Sequence, residues 1–170
     1  MGFGDTSMVC KIMFILLILC FIIDLIGFAT PFWYRKEYNT TGVIIKYHGG
    51  LWISYIDTEI GLKSIKDPGQ SDWIRAVRAL SIMSLLYFLA ALVAIIVFMF
   101  FMTERKAIYQ FAAFLSFVGA FCAMIAFAVY AGESKGPLKE YSASFALTII
   151  SFILGLMISV LGILDNLSGK

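Results

Sequence analysis

Four long apolar runs dominate this sequence, at about residues 8–30, 76–102, 107–131 and 144–164. An α-helix needs roughly 20 mostly apolar residues to cross about 30 Å of hydrocarbon. Each run is long enough, and four spans put both termini on one side of the membrane. Composition agrees. The chain is 61% hydrophobic and 14% charged, with a mean hydropathy of +0.93. Soluble domains run at about 45–50% apolar and about 25% charged. A soluble enzyme is excluded, and so is a disordered chain, which needs low hydrophobicity and high charge. A net charge of +2 points to no nucleic-acid partner. The first partner is the lipid bilayer.

The connections differ in what they can fold into. Thr103–Lys106 is a tight hairpin link, and the 132–141 loop turns at Gly136-Pro137. The 31–75 loop is the only segment large enough for structure outside lipid, and 165–170 is a short tail. Gly42–Tyr47 and Leu51–Ile56 are β-branched and aromatic, with His48-Gly49-Gly50 between them, so they predict a hairpin. Thr58–Lys66 predicts a third strand, and Asp67-Pro68-Gly69-Gln70 a turn. Ser71 and Asp72 read as caps of the second span. Phe32, Trp33, Tyr34 and Trp73 are expected at the membrane interface, where aromatic side chains concentrate. The expected fold is mainly α: one domain over 1–170, a four-transmembrane-helix bundle carrying a small extracellular antiparallel β-sheet.

Orientation draws on conflicting signals. Nine of the thirteen basic residues lie on the face of the long loop, counting Arg78 at the head of the second run; Lys11, Arg105, Lys106 and Lys170 lie opposite. The positive-inside rule would put the long loop in the cytoplasm. Asn39-Thr40-Thr41 is a glycosylation sequon in that loop and requires the opposite face. A second sequon, Asn166-Leu167-Ser168, would then be cytoplasmic and unused. We read the first run as a retained span, although Gly27-Phe28-Ala29 resembles a signal cleavage site, because only Lys11 charges its head.

Few residues within the runs carry chemistry. Asp24 lies inside the first span, and a carboxylate in hydrocarbon must face protein and find a partner. Arg78 enters the second span from the same side, so an Asp24–Arg78 ion pair or water-bridged contact is expected as glue between helices; a conducting site is the sharper alternative. Ala112, Ser116, Gly119, Ala120 and Ala123 form a small-residue stripe on the third span, and Ser151, Gly155 and Ser159 a ladder on the fourth. Small side chains let helices approach closely in lipid. Two readings stay open for these faces: contact within the bundle, or a face for another membrane protein. Phe111, Phe114, Phe117, Phe121 and Phe127 add bulk around the third span, suited to lipid or to a neighbour. His48 is the only histidine and has no cysteine or carboxylate cluster beside it, so no metal site is expected. Catalytic residues, cofactors and a small-molecule substrate are likewise not expected, because no nucleophile–base set or phosphate-binding loop is present.

Several landmarks fall in one order: Trp33 after Pro31, Gly50-Leu51-Trp52 in the long loop, Asp72-Trp73-Ile74-Arg75-Ala76-Val77-Arg78 into the second span, and Glu140-Tyr141-Ser142-Ala143-Ser144-Phe145 into the fourth. In this the chain resembles the superfamily of peripheral myelin protein, the epithelial membrane proteins, lens fibre membrane protein and the claudins. The resemblance implies cytoplasmic termini, an extracellular sheet and signature residues Trp33, Gly50, Leu51 and Trp52 with a structural role. It departs from the family at the loop cysteine pair: Tyr55 stands at the first position, and the second falls near Ile65. Packing of Tyr55, Ile56, Leu62, Ile65 and Trp52, or a partner protein, would have to replace that disulfide. The function implied is a non-enzymatic plasma-membrane protein that organises membranes or cell contacts. The alternative is an auxiliary subunit of a channel or receptor.

Overall fold

The computed structural model describes residues 6–40, 43–58, 61–65, 71–102, 105–134 and 140–168. The Asp67–Gln70 turn, the Gly136-Pro137 turn and the start of the Thr103–Lys106 link lie outside those residues. The helices are α1 (Met8–Ala29), α2 (Asp72–Phe100), α3 (Lys106–Ser134) and α4 (Ala143–Ser168). All four are long and apolar enough to cross a membrane. At 1.5 Å per residue α2 and α3 reach roughly 44 Å, well beyond the hydrocarbon thickness.

Relative to the apolar runs, α2 gains residues at its polar start and α3 chiefly at its end, through Gly132, Glu133 and Ser134. Asp72 through Arg75 form the first turn of α2 behind the N-cap Ser71. The Arg75 guanidinium meets the Asp72 carboxylate at 3.3 Å. Helix α1 starts where the Ser7 hydroxyl accepts the Cys10 amide at 3.1 Å. It ends at Thr30, because Pro31 disfavours helical geometry in the residue before it.

Between α1 and α2 the chain makes a four-stranded antiparallel meander: β1 (Tyr34–Thr40), β2 (Val43–Gly49), β3 (Ser54–Thr58) and β4 (Gly61–Ile65), in that spatial order. Three differences from the sequence expectation have physical causes. Strand β1 was not expected, because Arg35, Lys36, Glu37 and Asn39 give it no apolar alternation; pairing along β2 makes it a strand. Strand β2 continues through His48 and Gly49, so the turn lies at Gly50–Ile53. Leu51 lies inside that turn, which the Gly50 amide closes on the Ile53 carbonyl at 3.1 Å, and its side chain is buried. Trp33 is wholly buried, so its ring faces protein and not lipid.

All three cysteines are buried thiols on helices. The β3–β4 hairpin is held by its backbone ladder, with Tyr55 opposite Ser64 and Ser54 opposite Ile65. The side chains of Leu62 and Ile65 lie outside the described residues. Gly61, at φ +130°, takes the positive-φ position that closes the turn. A Tyr55→Cys/Ser64→Cys pair is expected to oxidise, and closing a loop of about ten residues should add about 2–3 kcal/mol. Thermal unfolding in detergent with and without reductant checks this.

Two stacks of side chains fill the bundle. Nearest the sheet are Trp33, Leu51, Val77, Tyr130 and Phe145. The other end holds Met13, Leu17, Phe88, Ile95, Met99 and Ile158.

Candidate functional site

The Gly-Leu-Trp turn locks the sheet to the helices, and each residue does so differently. A Cβ on Gly50 would sit 2.5 Å from the Pro31 Cα and 2.9 Å from the Ile53 carbonyl oxygen, so only glycine fits. Leu51 is fully buried among Trp33, Val77 and Tyr130. Trp52 stays 38% exposed, with its indole N–H on the Phe28 carbonyl at 3.1 Å and its ring edge-on to Phe28 at 5.2 Å. Arg78 closes the turn from α2: its Nε donates to the Leu51 carbonyl at 2.7 Å, and its guanidinium lies over the Trp52 ring at 4.8 Å. Gly50→Ala is expected to cost more than about 2 kcal/mol, since backbone and not a flexible side chain blocks the new methyl. Loss of surface-expressed, detergent-stable protein measures it.

Trp33 is the post around which the junction is built. Its indole N–H donates to the Gly27 carbonyl at 2.9 Å, and its ring packs on Tyr130 at 4.8 Å and Phe145 at 6.1 Å. The chain entering α4 is then stitched to the same segment. Tyr141 bridges to Tyr34. The Ser142 and Ser144 amides donate to the Trp33 and Phe32 carbonyls at 3.1 and 2.9 Å. The Ser144 hydroxyl accepts the Phe32 amide at 3.2 Å and meets the Thr30 hydroxyl at 2.7 Å. The Tyr34 hydroxyl donates to Glu140. Burial first, and the Glu140 carboxylate second, push the Tyr34 phenol above its ordinary range, so it stays a donor. The Tyr141–Phe145 pattern marks the segment that makes this clasp, but its partners at Thr30–Tyr34 lie about 110 residues earlier in the chain.

Among the described residues the expected direct Asp24–Arg78 ion pair does not form. Asp24, 4% exposed, accepts hydrogen bonds from Ser84 of α2 at 3.1 Å and Ser151 of α4 at 2.8 Å. The helix register is the cause. Arg78 lies six residues toward the sheet from Ser84, roughly 9 Å along the axis, and there it serves the Gly-Leu-Trp turn. Two hydroxyls, one on α2 and one on α4, thus replace one cation. Asparagine can accept from one serine and donate to the other, so Asp24→Asn should retain most of the fold. Asp24→Leu leaves both hydroxyls without that partner and should cost about 1–3 kcal/mol. Side-by-side unfolding of the two variants separates them.

The small residues are spent inside the bundle. Ala112, Ser116, Gly119, Ala120 and Ala123 on α3 are buried, as are Ser151, Gly155 and Ser159 on α4. A Cβ on Gly155 would meet the Phe88 ring at 2.8 Å and the Ala120 Cβ at 2.9 Å; one on Gly119 would meet Phe88 at 3.1 Å. Phe88 fills the notch that the two glycines leave. Phe111, Phe114, Phe117 and Phe121 instead face outward along α3, whereas Phe127 packs on Phe145 and Phe152. Asn39 lies near the far end of β1, opposite Ile44; its side chain is outside the described residues. His48 packs edge-on to Phe32 at 5.7 Å.

Taken together, the site offers a sheet clamped to a helical bundle, with its buried polar groups turned inward. A search of curated proteins gives no match. The model of the PMP-22/EMP/MP20/Claudin family matches residues 6–162, from the head of α1 across the sheet and into the last turns of α4, and the chain belongs to that family.

Proposed function

We propose that this protein is a non-enzymatic organiser of plasma membranes or cell contacts, with cytoplasmic termini and an extracellular sheet. The observation that carries the reading is the β1–β2 hairpin. It is anchored at its base by Trp33 and Tyr34, yet near its tip Tyr38 and Ile44 are each nearly half exposed. Six residues of extended chain put that tip roughly 20 Å from the anchor. The register pairs Tyr38 with Ile45 and Ile44 with Asn39, so the two side chains project from opposite faces of the arm and each offers a partner one apolar contact. Within the membrane, the small-residue faces are occupied internally. Lateral association then falls to the outward phenylalanines of α3 and not to the Ser151–Gly155–Ser159 ladder.

Cells expressing the protein should aggregate and concentrate it where they touch. A Tyr38→Glu/Ile44→Glu variant should reach the surface and lose both effects. A wild-type protein that spreads evenly over touching cells would sink the reading. Recovery of a pore-forming protein at fixed stoichiometry after mild detergent extraction would favour the auxiliary-subunit role. Orientation has its own check: a glycosidase-sensitive mass shift that Asn39→Gln abolishes puts the sheet outside.

A further inference from the structure

At the end of the bundle away from the sheet, a groove of about 430 Å³ runs between α3 and α4. A volume of that order holds a small molecule. Its floor is low, because a Cβ on Gly162 would lie 2.6 Å from the Ala113 Cβ and the two helices all but touch there. Phe114 and Phe117 wall one side and Ile163 and Leu167 the other, all four exposed. Gln110 and Asn166 stand at the mouth, near the start of α3 and the end of α4. Ser159 closes the inner end, one α4 residue among the lining set and roughly 10 Å along the helix axis from Asn166.

The polar groups of the groove are unused. Among the described residues, neither amide has a hydrogen-bond partner, and nor does the Ser159 hydroxyl. Ser159 is 3% exposed. It differs from Ser54 and Ser81, whose unpaired hydroxyls are sealed off from any occupant. A hydroxyl away from water is costly to leave unpaired. Apolar walls select nothing in a membrane, since acyl chains are as apolar as they are; hydrogen bonds and shape decide. An acyl chain would cover the walls and leave Ser159 unpaired. No charged side chain among the described residues lines the groove, so a phosphate headgroup finds no counter-charge there. A lipid with one polar end pairs either the mouth or Ser159, not both. The groove calls for a flat body with an oxygen at each end, about 10 Å apart. Rigidity also spares the entropy of ordering a flexible chain.

We propose that the α3–α4 groove binds a steroid carrying oxygen at both ends of its ring system, one oxygen on the Gln110 and Asn166 amides and the other on the Ser159 hydroxyl. The fused rings lie flat over Gly162, between the two phenylalanines and Ile163. The site depends neither on the contact-forming role proposed above nor on which side of the membrane the sheet faces.

The test uses full-length protein in phosphatidylcholine nanodiscs and tritiated androstanediol, which has hydroxyls on its first and last rings. Saturable binding is expected. Androstanol, which keeps only the first hydroxyl, should compete about fivefold more weakly, the worth of one ordinary hydrogen bond. Cholesterol, whose last ring carries a hydrocarbon tail, should compete at least as weakly as androstanol. Ser159→Ala should weaken the diol about fivefold, leave androstanol unchanged and keep the thermal unfolding profile. A Gln110→Leu/Asn166→Leu variant should weaken both ligands alike. Equal competition by androstanediol and androstanol on the wild-type protein would overturn the proposal without recourse to any variant. Cholesterol competing as well as the diol would also overturn it, by making the groove a general sterol surface, as would the absence of saturable binding.

Discussion

Trp33→Ala is expected to destabilise the protein by about 3–5 kcal/mol, the range for removing a buried large aromatic side chain, and to abolish surface expression. The residue has no exposed area, and the cavity it would leave lies between two rigid partners, Tyr130 and Phe145. The surroundings can collapse little, because the flanking backbone is fixed on both sides: Trp33 donates its amide to Gly49 at 2.9 Å and its carbonyl accepts from Ser142. Trp33→Phe separates the two contributions. It keeps most of the packing, loses the hydrogen bond to Gly27 and should cost about 1–2 kcal/mol. Reversible unfolding in mixed micelles reads both. A tolerated Trp33→Ala would mean that the sheet and bundle are stable apart.

Gly155→Leu should be the second severe change, at about 3 kcal/mol or more, because overpacking costs most where the neighbours cannot move. The Cβ of Ala120 has no rotamer to yield, and Phe88 is wholly buried. Gly132→Ala is the control: nothing lies within 4 Å of its added methyl, and exchanging glycine for alanine in a helix gains about 0.5–1 kcal/mol. If Gly155→Leu instead folded normally and failed only in complex formation, the ladder would be an outer face.

What could be read from the residues followed the physics of single segments. Hydropathy marks a span because crossing lipid is a property of one helix, so the four apolar runs reappear as α1 to α4 with ends shifted by a few polar residues. Gly50 was legible by type, and its neighbour Pro31 was not. The failures involved relations between segments. Nothing along the chain sets the axial register of α1 against α2, so the partner of Asp24 could not be chosen between Arg78 and serines hidden in apolar runs. Strand β1 carries its reason for existing in β2. Trp33 looked like an interfacial aromatic because its burial depends on Tyr130 and Phe145, about a hundred residues later.

The three-helix meeting at Asp24 also orders events during synthesis. Ser84 is available once α2 has been made, but Ser151 belongs to the last quarter of the chain. Until α4 leaves the ribosome, the first helix carries an acidic group with half of its hydrogen-bond partners. A chain that stops before α4 therefore carries its own incompleteness as a carboxylate short of one partner.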